Sequence, residues 1–188
     1  MSTEEELRKQ EIDRYKKIYP KDTTYKMGKL RMIEAKKALQ EQPYRGSYLD
    51  VGCGRGEMLD YAKALGFSVV HGTEVVPELE IMGMVTMASV DNLPFNTNWF
   101  QVVSMFDVIE HLNEFDLIPA CNELQRVASD RVIITASNVP SIEDGVDLHI
   151  TKKSYEEWDE FFQGIFCGDV EWRKDLSCRI NETWVVHQ

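Results

Sequence analysis

Apolar residues in the first quarter of the chain recur at helical spacing. Glu4 to Ile18 reads as a polar helix interrupted around Tyr19-Pro20. A second helix is predicted from Thr23 or Thr24 to Gln42, where Met27, Leu30, Ile33, Ala38 and Leu39 form an apolar stripe and Pro43 and Gly46 end it. Beyond that point short apolar runs alternate with helical stretches. Strands are expected at Tyr48–Val51, Phe67–Gly72, Met84–Ala88, Phe100–Phe106, Arg131–Ala136, Asp169–Arg173 and Thr183–His187, with helices at Met58–Leu65, Asn113–Val127 and Ser154–Phe162. Such alternation builds a parallel sheet through right-handed crossovers. The predicted architecture is therefore α/β, a mostly parallel seven-stranded sheet flanked by helices. Residues 1–45 form an N-terminal helical extension or lid, and 46–188 one domain.

Composition narrows the class without changing this picture. The chain has 188 residues, 43% hydrophobic and 28% charged, which suits one globular unit and disfavours low-complexity classes. No run approaches the ~20 apolar residues of a membrane span, and the N-terminus MSTEEELRKQE lacks the apolar core of a signal peptide, so no membrane association and a cytoplasmic location are expected. The four cysteines form no C-x-x-C pair and are expected as reduced thiols. Net charge is −11 but uneven: residues 1–45 carry 12 Lys+Arg against 8 Asp+Glu, and the remainder 9 against 24. Nucleic acid is disfavoured as a partner because phosphate binding needs a basic surface, with the basic N-terminal segment as the one exception. Nothing in the pattern fixes an oligomeric state.

The first strand runs into Gly52-Cys53-Gly54-Arg55-Gly56. Three glycines at alternate positions before a helix let the backbone turn tightly and let a ligand approach the amides. A dinucleotide G-x-G-x-x-G would need glycine at position 57, where Glu57 stands. The pattern is D-x-G-x-G-x-G from Asp50, and it resembles the first motif of the class I S-adenosylmethionine-dependent methyltransferases. That resemblance implies a Rossmann-like fold, S-adenosylmethionine as cofactor, and contacts from Asp50, Gly52, Cys53, Gly54 and Gly56 around its methionine part. Glu74, 18 residues after Gly56 at the end of the second strand, is placed to accept both ribose hydroxyls, with Val75 beside it.

Asn92-Leu93-Pro94-Phe95, Phe100-Gln101-Val102-Val103 and Asp107-Val108-Ile109-Glu110-His111-Leu112 then resemble the LPF, FDVV and DVLEHL motifs of the small-molecule branch of the same superfamily. The similarity covers roughly residues 48–136. Two positions depart from the pattern. Ser89 stands where an adenine-contacting acid is usual, leaving Ser89, Val90 and Asp91 as the adenine side, and Gln101 replaces the Asp of FDVV. Phe106 and Asp107 become the wall near the transferable methyl, and Tyr25-x-x-Gly28 resembles an element that closes over the cofactor.

If Asp107 starts a helical turn, Glu110 and His111 share its face. D-x-x-E-H resembles the E-x-x-E-H of the ubiquinone-biosynthesis and small-RNA 3′-end 2′-O-methyltransferases, and His149 falls where the latter place a further histidine. Two chemistries are open. Asp107, Glu110, His111 and His149 would hold Mg²⁺ or another divalent ion, or His111 or His149, flanked by Glu110, would take a proton without metal. The late aromatics Trp158, Phe161, Phe162, Phe166, Trp172 and Trp184 are expected mainly in the core, and Lys152 and Lys153 as a solvated pair. The expected function is methyl transfer to a hydroxyl or amine of a small-molecule or sugar-like acceptor. The alternatives are a metal-assisted RNA 2′-O-methyltransferase and a non-catalytic cofactor-binding protein.

Overall fold

The computed structural model describes residues 3–18, 32–76, 83–143, 145–174 and 181–188. Helix α1 spans Glu4–Ile18 and α2 spans Ile33–Gln40. The remaining elements are β1 (Ser47–Val51), α3 (Glu57–Leu65), β2 (Val69–Glu74), β3 (Val85–Met87), β4 (Phe100–Met105), α4 (Glu114–Val127), β5 (Ala128–Ser137), β6 (Ile142–Glu143), β7 (Val146–Asp147), α5 (Tyr155–Ile165), β8 (Asp169–Arg173) and β9 (Asn181–His187), with a 3₁₀ turn at Ile109–His111. The expected part of the second helix before Ile33 lies outside the described residues.

Seven strands form one sheet in the order β3-β2-β1-β4-β5-β9-β8. All neighbours are parallel except β9, which runs antiparallel between β5 and β8. The chain winds outward from β1 to β3, returns to β4 on the other side of β1, and winds outward again. Strand order thus reverses between β1 and β4, and the carboxyl ends of those two strands are where an open α/β sheet forms its ligand crevice.

Both faces of the sheet are buried, and the strands divide their side chains between them with period two. Leu49, Val51, Val103, Met105, Val132 and Ile134 pack with Leu117, Leu124, Trp158, Phe162 and Trp184 on one face. Tyr48, Val102, Ile133 and Val185 pack with Ala35, Leu39, Met58 and Leu59 on the other. The aromatic expectation is met there: Trp158, Phe162 and Trp184 are fully buried. Helix α5 begins where Ser154 Oγ accepts from the Glu157 amide at 3.1 Å and Glu157 accepts in turn from the Ser154 amide at 2.7 Å.

Two elements differ from expectation. The two-residue strands β6 and β7 form a small hairpin turning at Gly145, whose φ of +77° suits glycine, and are too short to leave a periodic signal. The turn expected to start at Asp107 starts at Ile109 instead, because Asp107 itself adopts a left-handed φ of +54°. Among the described residues, no helix is long and apolar enough to cross a membrane.

Candidate active site at the carboxyl ends of β1, β2 and β4

Beyond β1 the chain turns through Gly52, Gly54 and Gly56 with φ of +72°, +52° and +80°. Side chains with a Cβ adopt this region at a cost of roughly 1–2 kcal/mol each, which explains the three glycines. At Gly52 there is a second reason: a Cβ would lie 2.5 Å from Val108 Cγ2. The amides of Gly52 and Cys53 both donate to the Thr73 carbonyl at 2.9 Å, which fastens the loop to the end of β2.

Two buried carboxyls sit at the rim of this loop. Glu74 Oε2 accepts from the Gly54 amide at 2.9 Å, and Oε1 accepts from the Val75 and Val76 amides at 2.8 and 3.3 Å. Burial raises its carboxyl, and these amides oppose the rise. Asp50 accepts from Ser104 Oγ at 2.6 Å, and Ser104 in turn lies 2.6 Å from the Tyr48 hydroxyl. Burial, with the Glu74 charge adding to it, pushes the Asp50 carboxyl up to about 7. A glycine loop with no room for a Cβ at Gly52, edged by two buried acids, fits a ligand that brings an ammonium group and vicinal hydroxyl donors.

The loop after β3 carries Ser89, Val90 and Asp91. Val90 is buried, and Ser89 Oγ donates to Asp91 Oδ1. The LPF segment beyond it is held by α4: Arg126 donates to the Leu93 and Phe95 carbonyls at 2.9 and 2.6 Å, and Glu123 accepts from the Leu93 amide at 2.7 Å. Gln101 lies at the opposite end of the sheet, where its Oε1 accepts from the Gly46 amide at 2.9 Å, so this departure from FDVV serves the entry to β1.

Past β4, Phe106 is buried in the same cluster as Cys53. The Asp107 amide donates to Thr135 Oγ1 at 3.0 Å, Thr135 Oγ1 donates back to Oδ1 at 3.0 Å, and Asn181 Nδ2 donates to the same oxygen. These bonds to β5 and β9 hold Asp107 in its left-handed conformation. Asp107 is near enough to Glu110 for its charge to act on that carboxyl, but it is not one of the three residues whose donor atoms converge. Glu110, His111 and His149 come together with one donor atom from each within 4.8 Å of the others.

Glu110 is fully buried. One of its oxygens accepts from the Ser137 amide at 3.0 Å, whereas Oε2 has no hydrogen-bond partner among the described residues. Burial, then the nearby Asp107 charge, holds its carboxyl well above the usual range. His111 Nδ1 lies 2.9 Å from the Leu148 carbonyl, and because a carbonyl only accepts, Nδ1 carries the proton and Nε2 keeps its lone pair. Burial, then His149, pushes this imidazole down to about 3. The His111 and His149 ring centroids are 4.5 Å apart, and Tyr15 of α1 meets His111 edge-on with centroids 5.4 Å apart. His149 also lines a hollow with Ser137, Asn138, Val139, Pro140, Thr151 and Lys152. The expected solvated lysines are each paired with a carboxylate, Lys152 with Asp147 at 2.7 Å and Lys153 with Glu114 at 3.0 Å.

The structure therefore brings the glycine loop, Asp50 and Glu74 to one half of the sheet edge and Glu110, His111 and His149 to the other, with Val108 touching Gly52 where they meet. Tyr25 and Gly28 lie outside the described residues. Sequence reasoning missed Ser104, Thr135 and Asn181, which orient the two aspartates, and Tyr15 on α1. The first two left a signal, as hydroxyls inside otherwise apolar strands. The other two left none.

With this geometry in hand, comparison with known proteins is direct. A family described as a methyltransferase domain matches residues 25–139, well over half of the chain. An uncharacterized protein of Methanocaldococcus jannaschii is 30% identical over 139 residues, covering 71% of this chain and 53% of its own length, so the chain spans about half of that relative. Among solved structures, the 1,6-didemethyltoxoflavin-N1-methyltransferase of Burkholderia thailandensis, bound to 1,6-didemethyltoxoflavin and S-adenosylhomocysteine, superposes with a TM-score of 0.72 at 16% identity, covering 100% of this chain and 91% of its own. A protein of Pyrococcus horikoshii gives 0.71 at 16% identity, covering 91% and 98%. The methyltransferase domain of bacterial CtHen1 gives 0.63 at 16%, covering 84% and 95%. Family match, sheet order and glycine loop agree: the chain belongs to the class I S-adenosylmethionine-dependent methyltransferases.

Proposed function

We infer that the chain transfers a methyl group from S-adenosylmethionine to a hydroxyl or amine of a small-molecule acceptor, with acceptor chemistry centred on Glu110, His111 and His149. The observation that carries this reading is the meeting of the two half-sites at Gly52 and Val108. When bound, the cofactor supplies an electrophilic methyl on a sulfonium. The chain's own groups do the rest. Amides of the glycine loop and the carboxylate of Asp50 hold the methionine end, Glu74 takes the ribose hydroxyls, and Ser89, Val90 and Asp91 line the adenine. Phe106 and Asp107 form the wall between cofactor and acceptor.

A proton must leave the acceptor as the methyl arrives, and the two histidines are unequal to that task. His111 is buried and too weakly basic, so its neutral, carbonyl-oriented ring serves to position. His149, half-buried and open to the hollow it lines, is the base. The helix on the acceptor side supports a small acceptor over RNA: α1 carries five basic and five acidic residues, so the positive balance of residues 1–45 does not lie on it. Incubation with labelled S-adenosylmethionine and separate pools of small metabolites and RNA tests this. Label is expected in low-mass products and lost with His149→Ala; label in RNA alone, falling steeply with salt, contradicts the small-acceptor reading.

One observation favours a metal-assisted variant. Glu110, with an unpartnered oxygen, and two imidazoles within 4.8 Å fit a divalent cation that would polarise an acceptor hydroxyl. Calorimetric titration with Mn²⁺ decides between the variants. Binding that Glu110→Gln abolishes supports the metal, and its absence leaves the metal-free base.

A further inference from the structure

Helix α1 is polar, with the sequence EEELRKQEIDRYKKI, and no side chain described on it belongs to the buried core. Its half-buried Leu7 and Ile12 are joined by polar and ring contacts in docking it. Arg8 Nε donates to Asp116 Oδ1 at 2.7 Å, a second guanidinium nitrogen reaches the same oxygen, and that nitrogen lies 3.4 Å from Asp91 Oδ2. The guanidinium carbon also stands 5.5 Å from the centre of the Phe115 ring. Asp116 is buried at the start of α4, and Asp91 belongs to the adenine side of the cofactor half. Seven residues on, two helical turns along the same face, Tyr15 meets His111 edge-on. Every one of these partners lies just beyond a strand's carboxyl end, so α1 crosses the sheet edge where an acceptor must enter.

We propose that α1 is a latched lid on the acceptor site: Arg8, clamped between Asp116 and Asp91, is the latch, and Tyr15 is the lid residue that walls the acceptor against His111. This rests on the reading of Glu110, His111 and His149 as the acceptor site. A helix with no fully buried side chain among its described residues is among the segments that open first, because local opening is cheapest where apolar burial is least. When the latch releases, Tyr15 leaves His111 and the three-residue cluster is uncovered. Latching again over a bound acceptor excludes water from the point of transfer.

Two measurements on the full chain read the latch without an acceptor: hydrogen exchange of residues 4–18, and labelling of His111 by diethyl pyrocarbonate. Arg8→Ala and, from the other side of the clamp, Asp116→Asn should each raise α1 exchange and His111 labelling about fivefold or more, with exchange in β4 and β5 unchanged. Arg8→Lys should recover only part of the protection, since an ammonium lacks the planar fork. Tyr15→Ala should expose His111 to label while loosening α1 less than Arg8→Ala does. Identical exchange and labelling in wild type, Arg8→Ala and Asp116→Asn would overturn the latch. Unchanged His111 labelling in Tyr15→Ala would overturn the role given to Tyr15. S-adenosylhomocysteine binding, measured on the same proteins, reports separately on the methyltransferase site: a folded wild type that fails to bind it sinks that reading and leaves the exchange result standing.

Discussion

The two halves of the site are made of different material. The half proposed to hold the cofactor is built from backbone: three left-handed glycines, amides turned toward Glu74, and a carbonyl at Thr73 that fixes the loop. The acceptor half is built from side chains brought together from residues 15, 110, 111 and 149. A backbone cradle is the same for every member that binds one cofactor. A side-chain cluster can be exchanged residue by residue, which is where a shared fold acquires its different acceptors.

Substitutions should separate the halves. The largest effect is expected for Gly52→Val, which combines an unfavourable φ of +72° with a Cβ 2.5 Å from Val108. Roughly 2–5 kcal/mol of stability should be lost, read by thermal unfolding, and S-adenosylhomocysteine binding with it. Gly83→Ala, with φ of +76° but open space around it, isolates the backbone part and should cost only about 1–2 kcal/mol.

On the acceptor side, His149→Ala should cut methyl turnover by roughly 10²-fold or more while S-adenosylhomocysteine affinity stays within about twofold. Equal losses in both would join the halves that the account keeps apart. Glu74→Ala should do the reverse, weakening S-adenosylhomocysteine by about 10- to 100-fold, since the carboxylate that holds the loop amides is also the one proposed to take the ribose hydroxyls.

A pH dependence is expected at Asp50. Its carboxyl rises to about 7 in the fold, so its contribution to ligand-free stability is full below about pH 4 and is lost as pH rises through about 7. Asp50→Asn should remove this slope, at most ~1.4 kcal/mol per pH unit for one proton, and be the more stable variant at pH 8. The same substitution should weaken S-adenosylhomocysteine there, because an amide would not make the charge pair proposed between Asp50 and the ligand's ammonium. Denaturant melts at pH 5 and pH 8 read the first part and calorimetry the second.

The same contrast decides how much of the molecule was legible in the sequence. Apolar periodicity announced all seven strands of the main sheet, because each strand buries a face of its own, while α1 was read from its polar helical run and the interruption at Tyr19-Pro20. The glycine loop and Glu74 were legible because backbone geometry limits residue choice locally. The place of the turn was misread from Asp107, because a spacing of three or four residues assumes a helix that begins there, whereas the turn begins at Ile109. Thr135 and Asn181, distant in sequence, hold Asp107 in a left-handed conformation instead. Arg8 and Tyr15 were invisible because their partners lie around a hundred residues away, and a polar helix carries no periodic mark of what it covers.

Calorimetric titration of the full chain with S-adenosylhomocysteine tests the central claim most directly. The account predicts micromolar binding, about −8 kcal/mol, abolished by Gly52→Val and weakened by Glu74→Ala. A folded wild-type protein that binds no S-adenosylhomocysteine would contradict it.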